Sequence, residues 1–204
     1  SLIKPNITYH RHKYVQFEGY VYKEGQRNVV RNYLGLHSNL GPGKMPDYSH
    51  GKNCGFPLNG KSYEVDLLIG MSFAFRKKVF DSLRFSTYFE GYGLYEDADF
   101  CIRALQFGKN VVNTKVRLNH FHHPSGRPNQ YQYGKMVVRN GWYVWRTKNP
   151  KPFFDAKIKW HSITILLTLI RFSNTFTTSK RKEALTEAIG RTVGWWSLFF
   201  HRPQ

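Results

Sequence analysis

The run YEVDLLIGMSFAF, residues 63–75, is nearly continuous in apolar side chains and bounded by polar ones. Successive side chains of a strand point to opposite faces, so a strand apolar at consecutive positions needs cover on both. The run therefore predicts a central strand, buried on both sides. Burying it requires a real core, and 204 residues with 41% hydrophobic and 17% aromatic side chains can build one. A chain of this size buries roughly 70% of its unfolded surface. The composition is too rich in core-formers for a disordered chain and too poor in long apolar runs for a polytopic membrane protein.

The flanking patterns fill in the rest. RKKVFDSL predicts a short helix, and STYFEGYGLY an aromatic loop with two close glycines. From Glu96 onward Phe100, Ala104 and Phe107 recur at helical spacing beside Cys101 and Leu105, and Gly108 is a natural stop. NVVNTKVRL predicts a second strand, which leads into the loop NHFHHPSGRPNQ. Ahead of the apolar run, residues 1–62 read as short extended stretches followed by a long Gly/Pro-punctuated loop. After Gln130 three helical patterns follow, separated by NPKPF and SNTFTT. Two domains are expected, residues 1–130 and a helical subdomain over residues 131–204. The apolar block Ile163 to Ile170 is too short to span a bilayer, which takes about 20 residues.

GYGLYEDADF places Glu96, Asp97 and Asp99 within four positions of a chain with 13 acids and 31 Lys and Arg. Carboxylates in a first helical turn meet free backbone amides and the positive end of the helix dipole, which accounts for any one of them. Three exceed what capping requires, yet helical residues diverge by about 100°, so at most one or two can face a single site. Gly91 and Gly93 would let backbone approach a ligand, and Tyr92, Tyr95 and Phe89 offer flat surfaces for a sugar or a base. His120, after the second strand, suits a metal ligand or a satisfied structural role.

An apolar strand entering GMSFAFRKKVF, a glycine-bearing aromatic loop, YEDADFCIRALQFGKNVV, a strand and then a histidine: this order resembles the second half of a family 2 glycosyltransferase of the GT-A fold. The similarity covers roughly residues 63–123, and YGKMVVRNGWYVWRTKNP resembles the Arg-Asn helix of rhamnosyltransferase-like members. The resemblance implies an α/β fold, the C-terminal part of a GT-A type mixed sheet followed by a helical subdomain. It implies that Glu96 and Asp97 are the family's Glu-Asp pair, with Asp97 the catalytic base, and that Asp99 is structural. It further implies substrate contacts at Gly70, Gly91, Tyr92, Gly93 and Arg139, and a divalent metal, Mg2+ or Mn2+, held with the help of His120. Implied partners are a nucleotide-sugar donor and a glycan or lipid-linked acceptor. Arg76, Lys77, Arg127 and Arg139 are candidates for neutralising the leaving diphosphate. The family's nucleotide-binding half, with its Asp-x-Asp element, is not found here. The chain is therefore expected to be the C-terminal portion of a longer enzyme and to bind nucleotide poorly alone.

Net charge is +18, with a pI near 10.0, which favours polyanionic partners. An anionic membrane surface is one: it would use the basic surplus with ITILLTLIRF and VGWWSLFFHR. Alternatively Trp195, Trp196, Phe199 and Phe200 pack within the helical subdomain. A nucleic-acid-binding module is the rival from another class, disfavoured because the basic residues are scattered and no binding motif stands out. Paired carboxylates also serve glycoside hydrolases, but there they must flank the bond about 5 to 9.5 Å apart. A zinc module on His120, His122 and His123 fits no standard spacing. Cys54 and Cys101 lie in unlike contexts and make no disulfide framework, which fits a reducing compartment. The expected location is cytoplasmic, peripheral on the inner face of the cell membrane if the basic surplus serves that purpose.

Overall fold

A computed structural model of the chain describes residues 8–10, 40, 42–48, 56, 59–70, 73–118 and 129–203. The protein is mixed α/β. It divides into two compact units, the first of residues 1–46, 51–86 and 96–123, the second of residues 47–50, 87–95 and 124–204.

The first unit holds the sheet. Strand β1 (Thr8–His10) runs parallel to β3 (Asn110–Leu118), and β2 (Ser62–Val65) runs antiparallel to β3 on its other side. Ser62 lies opposite Asn113 and Val65 opposite Asn110. Among the described residues the unit adds two helices: α1 (Lys77–Ser82) and α2 (Glu96–Ala104), the latter extended by a 3-10 turn (Leu105–Phe107). Val65, Leu68, Cys101, Val112 and Phe56 form one apolar cluster, and Leu83, Phe100 and Ala104 another. Phe100 anchors the second, its ring centroid 4.5 Å from that of Phe85 and 4.8 Å from that of Phe75.

The expected central strand is corrected here. Among the described residues β3 occupies the middle of the sheet, and β2 covers only Ser62–Val65, with Val65 its one buried residue. Beyond Val65 the backbone leaves the ladder because Asp66 and Leu67 both donate their N–H groups to Gly43 O at 2.9 Å. Leu67 and Leu68 are buried all the same, in irregular backbone. Among the described residues the continuous apolar signal therefore reported burial at Val65, Leu67 and Leu68 only, with Gly70 and Ala74 exposed, and overstated the strand's length. Phe107 also departs from expectation. The last turn tightens to 3-10 before Gly108, which leaves Phe107 exposed instead of in the core.

The second unit contains the three expected helices, α3 (Gln130–Lys148), α4 (Phe154–Thr177) and α5 (Arg181–Ser197), but SNTFTT is not the expected break, since α4 continues through it to Thr177. Asn129 caps α3 by accepting from the Gln132 N–H at 2.9 Å. Val137, Val138, Trp142 and Trp145 then form its buried stripe. Against α5 the backbones approach closely: a Cβ on Gly134 would sit 2.2 Å from Glu187 O, and one on Gly190 would sit 2.1 Å from Tyr131 O. Buried Glu187 joins α4 to α5, accepting from Arg171 Nε at 2.7 Å and from Arg191 Nη2 at 2.7 Å. Trp142, Trp145 and Trp160 pack edge to face and tilted at 4.9 to 5.8 Å, and Trp145 Nε1 donates to Asp47 O at 2.7 Å.

Candidate functional site

The N-terminus of α2 separates the three acids as helical geometry requires. Asp99 is fully buried and takes Arg103 Nε at 2.9 Å and Nη2 at 2.5 Å, while Arg103 Nη1 reaches Arg84 O. Its work is structural. Glu96 is exposed, and partial burial, followed by the neighbouring Asp97 charge, raises its pKa above the usual glutamate value. Asp97 is half-buried between these extremes. It accepts from the Gly70 N–H through Oδ2 at 2.8 Å and from the Ala98 N–H through Oδ1 at 2.8 Å.

A set of hydrogen bonds along the preceding segment holds Gly70 in place. Asn110, at the head of β3, donates through Nδ2 to both Asp66 O and Cys101 O at 3.0 Å. The Leu68 N–H points at the buried Cys101 thiol, Sγ 3.4 Å away. The Asp66 carboxylate takes the Met45 N–H at 3.0 Å and Lys44 Nζ at 3.2 Å. Residues 66–70 are thus tied along α2, which aims the Gly70 amide at its first turn. The fit is tight, since a Cβ on Gly70 would meet Asp97 Cβ at 3.0 Å.

Gly91, Tyr92, Gly93 and Arg139 belong to the second unit. Gly91 and Gly93 have φ of 62° and 64°, and Tyr95 follows with φ of 74°, a conformation that side chains disfavour. Helix α3 grips this segment. Tyr88 stacks on Tyr143 with centroids 4.1 Å apart, Phe89 meets the same ring edge-on, and Tyr92 meets Tyr133 at 6.3 Å. Asn140 Nδ2 donates to Leu94 O at 2.8 Å and its Oδ1 accepts from the Tyr88 hydroxyl at 3.3 Å. Burial raises the Tyr88 pKa, opposed by the Arg139 charge and reinforced by Tyr143. Arg139 Nη1 donates to Ser197 Oγ at 2.6 Å and to His201 O at 2.9 Å, so its guanidinium ties α3 to the end of α5.

Of the residues implied by the resemblance, Gly70 and Asp97 are therefore brought into contact. Gly91, Tyr92 and Gly93 form a shaped loop, and Arg139 is engaged in helix packing. His120, with His122, His123 and Arg127, lies outside the described residues, as does Cys54. Among the described residues no group of three His, Cys, Asp or Glu could hold a metal. Sequence reasoning missed Asn110, Asn140 and Tyr143 as supports. Asn140 alone carried a signal, as the Asn of the Arg-Asn pair. Comparison with protein-family models, curated proteins and solved structures returns no match.

Proposed function

We propose that this chain carries the acceptor side of an inverting glycosyltransferase of the GT-A type. It would act within a longer enzyme that moves a sugar from a nucleotide-sugar donor to a hydroxyl of a glycan or lipid-linked acceptor. Asp97 is the general base. The acceptor O–H gives its proton to the Asp97 carboxylate, the oxygen attacks the anomeric carbon, and the sugar–diphosphate C–O bond breaks with its electron pair leaving on the diphosphate. General-base assistance of this kind contributes about 10² to 10⁴ in rate.

The observation that carries the reading is the Gly70–Asp97 hydrogen bond of 2.8 Å, which fixes a half-buried carboxylate at a helix start. A carboxylate offers about four lone-pair sites, so holding two amides does not bar it from receiving a proton. The shaped, glycine-bearing segment directly before the Glu-Asp pair supports the same reading. The test is Asp97→Asn in the longer enzyme, assayed for product against a panel of nucleotide-sugars. Transfer should fall by about 10²- to 10⁴-fold with the melting temperature little changed. Full turnover in the variant refutes the assignment.

A further inference from the structure

The outward face of α4 is apolar along the length of the helix. Phe154, Ile158, Ile165, Leu169, Phe172 and Phe176 are each 40% to 77% exposed. At about 100° per residue they fall within a 60° arc, and no Lys, Arg, Asp or Glu lies in it. A surface helix ordinarily turns such a stripe toward the core. Here the inward face is a separate one, made of Ala156, Trp160, Ile163 and Thr164. The stripe is about 33 Å long at 1.5 Å per residue. His161, at its edge, stacks on Phe199 at 5.9 Å, and Phe199 and Phe200 lie 5.9 and 6.1 Å from Trp196. The apolar face thereby continues onto exposed aromatics at the end of α5.

We propose that this face docks on an anionic lipid bilayer, with α4 lying in the plane of the interface. Charge selects that occupant. Residues 130–204 contain thirteen Lys and Arg against three acids. Each of those acids already has a cation: Asp155 with Lys159, Glu183 with Lys180, and Glu187 with Arg171 and Arg191. The segment is therefore strongly basic on balance, which suits an anionic occupant. A second copy of the chain would set one basic unit against another. A nucleic acid would need cations among the exposed rings, where α4 offers an uncharged arc. A bilayer with acidic headgroups satisfies both halves, taking the apolar side chains below its surface and the Lys and Arg at it. Trp196 and the exposed phenylalanines suit the interface depth. Among the described residues no helix is long and apolar enough to cross a membrane, so the contact is one of lying on the surface. The inference is independent of the transferase reading.

The test uses the full chain with vesicles of phosphatidylcholine alone and of phosphatidylcholine mixed with phosphatidylglycerol. Expected are co-sedimentation with the mixed vesicles, much weaker binding to the neutral ones, and release on adding salt. A blue shift of tryptophan emission should accompany binding and shrink in Trp196→Phe. The double variant Leu169→Glu, Phe172→Glu should lower partitioning by roughly tenfold or more, with its thermal melt unchanged because both side chains are exposed. No binding, equal binding to both vesicle types, or undiminished binding by the double variant overturns the proposal. A dimer in sedimentation velocity that the double variant disperses overturns it in favour of self-association. Salt-sensitive retention on RNA without vesicle binding overturns it in favour of nucleic acid.

Discussion

The Gly70 amide and the Asp97 carboxylate meet at 2.8 Å, and the glycine is what permits it. A Cβ at position 70 would stand 3.0 Å from Asp97 Cβ and 3.5 Å from its Oδ2. That is close enough to push the carboxylate aside by a few tenths of an ångström and too mild to unfold the unit. If Asp97 is the base proposed above, Gly70→Ala should reduce transfer by the proposed longer enzyme while moving the melting temperature little. Misplacing a reacting group by an ångström or less is costly in rate. A variant with unchanged transfer would separate this contact from the chemistry.

Glu96 behaves differently from its neighbour. Its pKa is raised above 4.5, chiefly by burial and then by the Asp97 charge, so the folded state disfavours the ionised form. Below both the unfolded and folded values the side chain is neutral in each state and contributes nothing. As pH rises through that window the fold loses stability, because the unfolded chain gives up the proton first. Glu96→Gln should accordingly show a small gain in melting temperature at neutral pH that disappears on acidification below the carboxylate range, roughly pH 4. A gain that persists in acid would point to another cause.

Much of this was legible in the residues. The start of α2 at the acids and its stop at Gly108 follow from helical spacing and a glycine terminator. The three later helices follow from period, and NPKPF does separate the first two, but α4 runs on through SNTFTT to Thr177 and breaks only over residues 178–180. The divergence of the three acids followed from 100° per residue alone. What failed was the strand over residues 63–75, because an apolar run reports burial, and burial was reached by a route no local pattern encodes: the N–H groups of Asp66 and Leu67 turn to Gly43, far earlier in the chain. The Gly70–Asp97 contact spans 27 positions and depends on Asn110 holding two carbonyls at once. Tyr95 carries nothing in its residue type that announces a positive φ. The outward stripe of α4 was hidden too, since apolar residues on both sides of a helix do not say which side is covered.

Two glycines with similar backbone angles should differ in what they tolerate. Gly43 has φ of 75° and Gly91 φ of 62°. An added Cβ at Gly91 meets nothing within 4 Å, so Gly91→Ala bears only the left-handed penalty, about 1 to 2 kcal/mol. At Gly43 the Cβ would lie 2.5 Å from Val65 Cγ1, in the apolar cluster beside β2. Overpacking adds typically about 1 to 3 kcal/mol, so Gly43→Ala should be clearly the more destabilising in urea unfolding. Equal losses would mean that Val65 can give way.

His161 should make the helical unit sensitive to mild acid. Burial, and secondarily the Arg202 charge, lowers its pKa below 6.5. Trp195 Nε1 donates to His161 Nδ1 at 3.1 Å, so that nitrogen serves as an acceptor and the ring is neutral. Protonation would set one N–H against another. The unfolded chain takes up the proton near pH 6.5 while the folded chain resists until the lower, folded value. Stability is therefore full above the unfolded value and falls as pH drops from there toward the folded one. Thermal melts of the protein between pH 7.5 and 5 should show that decline, and His161→Phe, which cannot titrate, should flatten it even though its baseline stability drops with the lost hydrogen bond. An identical slope in the variant would assign the acid sensitivity to other groups.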